Sequence, residues 1–231
     1  YQYSALPVVD LYGRLKGMIT WDDVQDIIED ETTEEFYASS GINTGVVDED
    51  EIIYGSTLDA VRARCPWLFI TLIGEFLAVS VAGRFENTLN ALPVIAIFMP
   101  LLAGLGGNIG TQSITLMVRG LSTGQISLNS AIFHILRELR VGVVIGTFFG
   151  LLVALVTWQR QDNFALGAVV GIAMAINMAT ATLLGAVTPF VLKKMKVDPA
   201  IASGPVIATT IDVLGLAVYF SLVSIYLVKL A

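Results

Sequence analysis

Five stretches of this chain are long and apolar enough to cross a lipid bilayer, and that number leaves few folds open. They run roughly Pro66–Gly83, Leu92–Arg119, Phe133–Trp158, Phe164–Leu192 and Ile201–Val228. A spanning helix needs about 20 apolar residues, and the bilayer interior admits only helices and closed barrels, because every backbone polar group must be paired. Runs of this length fit helices. Only 14% of the 231 residues are charged, well below the roughly 25% of soluble domains. The expected fold class is an all-α membrane protein with five transmembrane helices per subunit, preceded by a partial α/β segment. The second span is expected to be interrupted at Gly106-Gly107-Asn108.

The net charge of -7 hides a segregation. Acidic residues from Asp10 to Asp59 crowd the region before the first span, opposed there only by Arg14 and Lys16; the remainder is net basic. Five spans put the two ends of the chain on opposite sides. Arg62, Arg64, Arg119, Arg137, Arg140, Lys193, Lys194 and Lys196 fall on the amino-terminal side, and only Arg84, Arg160 and Lys229 on the other. The positive-inside rule then places the acidic segment in the cytoplasm of a multi-pass cell (plasma or inner) membrane protein. Trp67 and Trp158 sit at span ends, as interfacial anchors do.

The first residues, YQYSALPVVDLYG, have neither a basic n-region nor an apolar h-region, so no signal peptide is expected. Leu6–Asp10, a turn at Tyr12-Gly13 and LKGMIT read as strand–turn–strand. Thr20 can cap the helix that follows, with Asp22 and Asp23 in its first turn, where carboxylates suit the helix dipole. Val24, Ile27 and Ile28 make an apolar stripe on that helix. Tyr37 to Asp50, with Gly41, Asn43 and Gly45, reads as a linker, and Ser56 to Asp59 as a capping-box start to a helix running through Arg62 and Arg64 into the membrane. Cys65 alone allows neither an intrachain disulfide nor a cysteine metal cluster.

Asp212, deep in the last span, has no basic residue near it in sequence. A charge at membrane depth costs at least ~2.5–3.5 kcal/mol, so such a residue faces a wet cavity or a partner. Its neighbours Gly204, Ala208, Thr209, Thr210 and Gly215 are small or hydroxylic, and Pro205 frees a backbone carbonyl. A carboxylate with open carbonyls is hard-oxygen ligation, suited to Mg²⁺ or Ca²⁺. Because Mg²⁺ sheds water reluctantly, few protein ligands suffice. Two copies of Asp212 meeting at a two-fold axis would supply two negative charges to one ion. The competing reading is a protonated Asp bonded inside the bundle.

Gly104, Gly107 and Gly110 recur every third residue in the second span, with Asn108, Thr111 and Gln112 adding polarity. Small residues serve either close helix packing or a lumen. Glu86, just past the first span, reads as an outer-mouth carboxylate that gathers cations or as a solvated loop charge. Glu75, inside that span, pairs within the bundle or with a basic residue of another span. Asn177, Thr180 and Thr182 are hydrogen-bonding candidates, and His134 reads as a surface residue rather than a ligand.

Four motifs carry a resemblance. They are LPVVDLYGRLKGMITWDDVQDIIEDETTEE, PWLFITLIGEFLAVSVAGRFE, PLLAGLGGNIGTQS and DPAIASGPVIATTIDVLGL, in that order along nearly the whole chain. The chain resembles the MgtE magnesium channels, over the carboxy-terminal half of such a protein. The resemblance implies the end of a second CBS module at 1–38, a linker and connecting helix at 39–65, and a pore domain at 66–231. It implies a homodimer with the pore on the two-fold axis, lined chiefly by the second and fifth spans. Asp212 stands where the family has its pore Mg²⁺ aspartate, and Ala208 where a backbone carbonyl contributes. Gly104, Gly107 and Asn108 fit the pore-lining stretch, beside Thr209. Gly204 and Thr111 stand where some members carry Asn. Asp23, Asp26, Glu31, Glu34 and Glu35 match positions of regulatory Mg²⁺ binding.

The expected function is Mg²⁺ uptake through a Mg²⁺-gated channel, with an ion-coupled carrier exchanging Na⁺ or H⁺ as the alternative and Glu75 as its coupling group. The expected partners are the bilayer, a second copy and Mg²⁺; no nucleic acid is expected. Enzymatic activity is not expected either. An intramembrane aspartyl protease needs a second membrane-depth aspartate to share a proton, and the spans offer only Asp212.

Overall fold

A computed structural model of the chain describes residues 4–47, 49–197, 199 and 204–230. Asp48, the expected start of the fifth span at 201–203 and the side chain of Lys229 lie outside the described residues. The chain opens with an antiparallel hairpin, β1 (Ala5–Val9) and β2 (Leu15–Thr20), in which Ala5 pairs with Thr20 and Val8 with Gly17. Gly13 turns the corner at φ +77°, a conformation open to glycine. Asp10 Oδ1 closes the turn by accepting from the backbone N–H groups of Tyr12 and Arg14, both at 2.9 Å.

The helix α1 (Trp21–Ser39) starts at the expected cap: Thr20 and Asp23 form a reciprocal capping box. It runs past Tyr37, where the sequence suggested a linker, and a further short helix, α2 (Glu49–Tyr54), lies inside the expected loop region. The first turn of α2 carries Glu49 to Glu51, carboxylates that suit a helix N-terminus.

Among the described residues, five helices are long and apolar enough to span a membrane. They are α3 (Thr57–Arg84), α5 (Met99–Ser122, preceded by a 3₁₀ turn over Pro93–Phe98), α6 (Ala131–Gln161), α7 (Phe164–Lys194) and α8 (Gly204–Leu230). A short α4 (Glu86–Ala91) follows α3. The protein is thus a multi-pass all-α membrane fold with a small two-stranded appendage. Ser56 caps α3 as expected, and the helix continues without a break through Pro66.

The second span corrects one expectation. Helix α5 is not interrupted at Gly106-Gly107-Asn108; the backbone departs from α-helix earlier, in the 3₁₀ turn before Met99. These glycines serve close helix approach rather than a break. A methyl on Gly106 would meet Asn177 and Ile211, and one on Gly110 would meet Ile211.

Helix α7 is central. It packs along α6 and against α5 and α8, and carries buried Val170, Met174, Asn177, Ala181 and Phe190. The α6–α7 seam is nearly backbone on backbone. A Cβ on Gly146 would lie 2.7 Å from the Ala175 carbonyl oxygen, one on Gly150 2.6 Å from that of Gly171, and one on Gly167 2.6 Å from that of Ala154. Small residues at such a seam allow van der Waals contact that bulky ones forbid. Asp162, at φ 49°, ends α6, and Asn163 caps α7 by accepting from Leu166 N–H at 3.0 Å.

Candidate metal site and its surroundings

Helix α8 is held against α5 and α7 by its buried side. Ile207, Ile211, Tyr219, Phe220 and Val223 are buried, and the Tyr219 hydroxyl donates to the Ile95 carbonyl at 2.9 Å. That packing fixes the helix's rotation and leaves Ala208 and Asp212 half-buried at the border of the packed face. Asp212 Oδ1 is buried and has no hydrogen-bond partner. An unpartnered carboxylate oxygen in such surroundings is costly. Helix α3, which carries Glu75, packs beside α8. The two helices approach closely where a methyl on Gly74 would strike Thr209.

Ala208 faces α5: a Cβ on Gly107 would sit 3.5 Å from the Ala208 methyl. On the uncovered side of α5, Gly104, Asn108, Gln112, Thr115 and Arg119 are exposed and Thr111 is half-buried. These positions recur at three- and four-residue intervals, so they form one stripe along the helix. Gly104 has open space where a side chain would be. Gly204 packs beside Thr111, with a methyl there 3.2 Å from Thr111 Cγ2. Thr209 is buried, its hydroxyl donating to the Pro205 carbonyl at 2.7 Å. The Pro205 carbonyl lies about two helical turns before Asp212. Glu86 is exposed at the start of α4, whose Thr88 hydroxyl meets that of Ser224 on α8 at 3.0 Å. The structure therefore gathers Asp212, Ala208, Gly107, Asn108, Thr111 and Gly204 along adjoining edges of α5 and α8, and leaves Glu86 at the far end.

The acidic residues of α1 behave differently from one another. Asp23 Oδ2 accepts from Thr20 N–H at 2.8 Å and from the Thr20 hydroxyl at 2.5 Å. These bonds hold its carboxyl below the usual carboxylate range. Asp26, Glu31 and Glu34 are exposed. Glu35, half-buried, lies 4.0 Å from Arg119 of α5. The end of α1 reaches the edge of the α5–α8 pair: a methyl on Gly204 would lie 3.5 Å from the Ser39 carbonyl oxygen, and one on Gly41 3.2 Å from Pro205 Cγ. Among the described residues, no three His, Cys, Asp or Glu side chains come together as a metal-binding group within one chain.

Sequence reasoning passed over Glu138. It lies on α6, is only 4% exposed, and accepts a 2.8 Å hydrogen bond from the Ser113 hydroxyl on α5. Arg137 and Arg140 beside it in sequence made the segment look like a solvated helix end. The available signal was spacing: Glu138, Gly142, Gly146 and Gly150 recur every fourth residue on the buried face. His134, expected at the surface, is half-buried with an unpartnered Nδ1.

Comparison with known proteins agrees with this architecture. A family model described as "MgtE: Divalent cation transporter" matches residues 99–222, which contain α5 through most of α8. The magnesium transporter MgtE of Thermus thermophilus is 37% identical over 230 residues, covering 98% of this chain and 50% of that protein. Proteins of the same name from Bacillus subtilis and Enterococcus faecalis are 34% and 33% identical, each over 98% of this chain and 49% of their own length. The chain thus spans about half the length of the curated relatives it matches. It belongs to the MgtE family of divalent cation transporters.

Proposed function

We propose that this chain forms the transport pathway for Mg²⁺ in a homodimeric, Mg²⁺-gated channel of the cell membrane. The observation that carries the reading is Asp212: a membrane-depth carboxylate with a buried, unpartnered oxygen, beside the polar stripe of α5. Two such carboxylates about a two-fold axis, with Ala208 carbonyls, would hold a largely hydrated Mg²⁺ as substrate. Hard oxygen donors and retained water match the coordination chemistry of that ion. Gly104, Gly107, Asn108, Thr111, Gly204 and Thr209 would border the path, and Glu86 would gather cations at the outer mouth. The membrane potential would drive entry, at ~2.3 kcal/mol per unit charge per 100 mV.

Asp23, Asp26, Glu31, Glu34 and Glu35 are the residues for regulatory Mg²⁺. Exposed carboxylates on one helix repel one another, and divalent ions relieve that repulsion. The end of α1 beside Gly204 and Pro205 is close enough for such binding to affect the pathway. The excess of Lys and Arg on the α1 side supports a cytoplasmic amino terminus.

A second reading, an ion-coupled Mg²⁺ carrier, draws support from Glu75, a carboxylate on α3, the helix packed beside α8. Reconstitution of the full-length protein in liposomes separates the two: single-channel currents identify a pore, and strict dependence on a Na⁺ or H⁺ gradient identifies a carrier. Asp212→Ala tests the shared site. In a strain that depends on this protein for magnesium, the variant is expected to abolish growth at low Mg²⁺; normal growth and uptake would remove the assignment.

A further inference from the structure

The outward side of α6 carries a feature that the proposed Mg²⁺ pathway does not include. Phe133, Arg137, Arg140, Val141, Val144 and Ile145 line an open groove of about 460 Å³. The opposite side of the helix, with Gly142, Gly146 and Gly150, is packed on α7, so the groove faces away from the bundle. Neither guanidinium has an ion-pair partner among the described residues. Arg140 commits only its Nε, to the Leu136 carbonyl at 3.1 Å. Glu138, between the two in sequence, is buried on the other face against Ser113. Beyond the arginines the exposed strip is apolar, continuing through Phe148, Leu151 and Leu155.

We infer that this groove binds one anionic phospholipid of the leaflet on the α1 side. The charge pattern selects the occupant. Two unpaired guanidiniums about one helical turn apart match a phosphate, which Arg grips through paired N–H donors. Clustered basic residues at the membrane surface also draw anionic lipid headgroups. Val141 and Val144 on the same side, then Phe148 and Leu151, give an acyl chain a continuous apolar track leading away from the charges. A zwitterionic headgroup would bring its own cation to the same site and gain less.

The test is lipid titration of the full-length protein in detergent, followed by native mass spectrometry, with dioleoylphosphatidylglycerol and dioleoylphosphatidylcholine as probes. Wild type is expected to retain one phosphatidylglycerol per protomer in preference to phosphatidylcholine. Arg137→Gln/Arg140→Gln should lose about 25-fold of that preference, from roughly fivefold per basic residue. Arg137→Lys/Arg140→Lys should keep much of it, and this variant stands in should the Gln pair fold poorly. Lys194→Gln/Lys196→Gln, removing two exposed charges at the same end of the bundle, should keep it all. Unchanged preference in the arginine variant, or equal loss in the lysine variant, would overturn the inference. So would a change in oligomer mass with lipid count unaltered, which would make the face a contact between copies.

Discussion

The Ser113 hydroxyl on α5 donates to Glu138 Oε2 on α6 at 2.8 Å, and both side chains are buried. The bond ties the helix carrying the polar stripe to one that contacts neither α3 nor α8 extensively. Removing one partner of a buried hydrogen bond costs about 1–3 kcal/mol, more for a charged group, whereas replacing both by apolar side chains can be nearly neutral. Ser113→Ala is therefore expected to lower thermal stability more than Ser113→Ala/Glu138→Leu does. Melting curves of the full-length protein in detergent measure this, and strictly additive effects would show that the bond contributes nothing.

Asn177 locks three helices. Its Nδ2 donates to the Leu102 carbonyl at 2.8 Å, and a methyl on Gly106 of α5 would lie 2.6 Å from that nitrogen. Gly215 of α8 abuts the same side chain's Oδ1. Overpacking of this kind costs typically 1–3 kcal/mol. Gly215→Ala should thus destabilise the bundle and reduce uptake. Adding Asn177→Ala to it should restore part of both, since it removes the atoms in conflict. A double variant worse than either single would contradict this geometry.

The capping box at Thr20 and Asp23 gives a pH signature outside the membrane. Asp23 is held below its ordinary value of 3.8 by its bonds to Thr20. A depressed carboxyl contributes stability that is complete above its unfolded value and is lost as pH falls through the folded one. Amide exchange in the first turn of α1 should therefore show constant protection from pH 7 to about 5 and declining protection below about 4. Asp23→Asn should weaken that turn at neutral pH and remove the acid dependence; an unaltered pH profile would refute the assignment.

Asn108 is exposed on α5 at the level of the Ala208–Gly107 contact. Because its side chain is exposed, Asn108→Leu should leave the melting temperature of the detergent-solubilised protein near that of wild type. In the proposed pore it should cut Mg²⁺ flux in liposomes by placing an apolar group on the path. Full flux would take Asn108 out of the lining.

Much of this was legible in the sequence because hydropathy and capping are local. The hairpin follows from the turn at Tyr12-Gly13, the start of α1 from Thr20, and the spans from their apolar length. Asp212 stood out because nothing basic adjoins it. What escaped depends on phase and on distant packing. Glu138 could be recognised as buried only by placing it on the face that Gly142 and Gly146 share. That Gly106 serves close packing rather than a helix break depends on Asn177 and Ile211, residues 70 or more positions away. The groove at Arg137 and Arg140 became visible only once Glu138 was seen to turn the other way.

The glycine contacts along α6 and α7 bear on how such a protein moves. Backbones that meet with no intervening side chain cannot slide past each other without atoms colliding, so this pair travels as one plank. In the proposed pathway, widening past Asp212 would then fall where a side chain mediates the contact, at Thr209 against Gly74, with α3 as the element placed to swing.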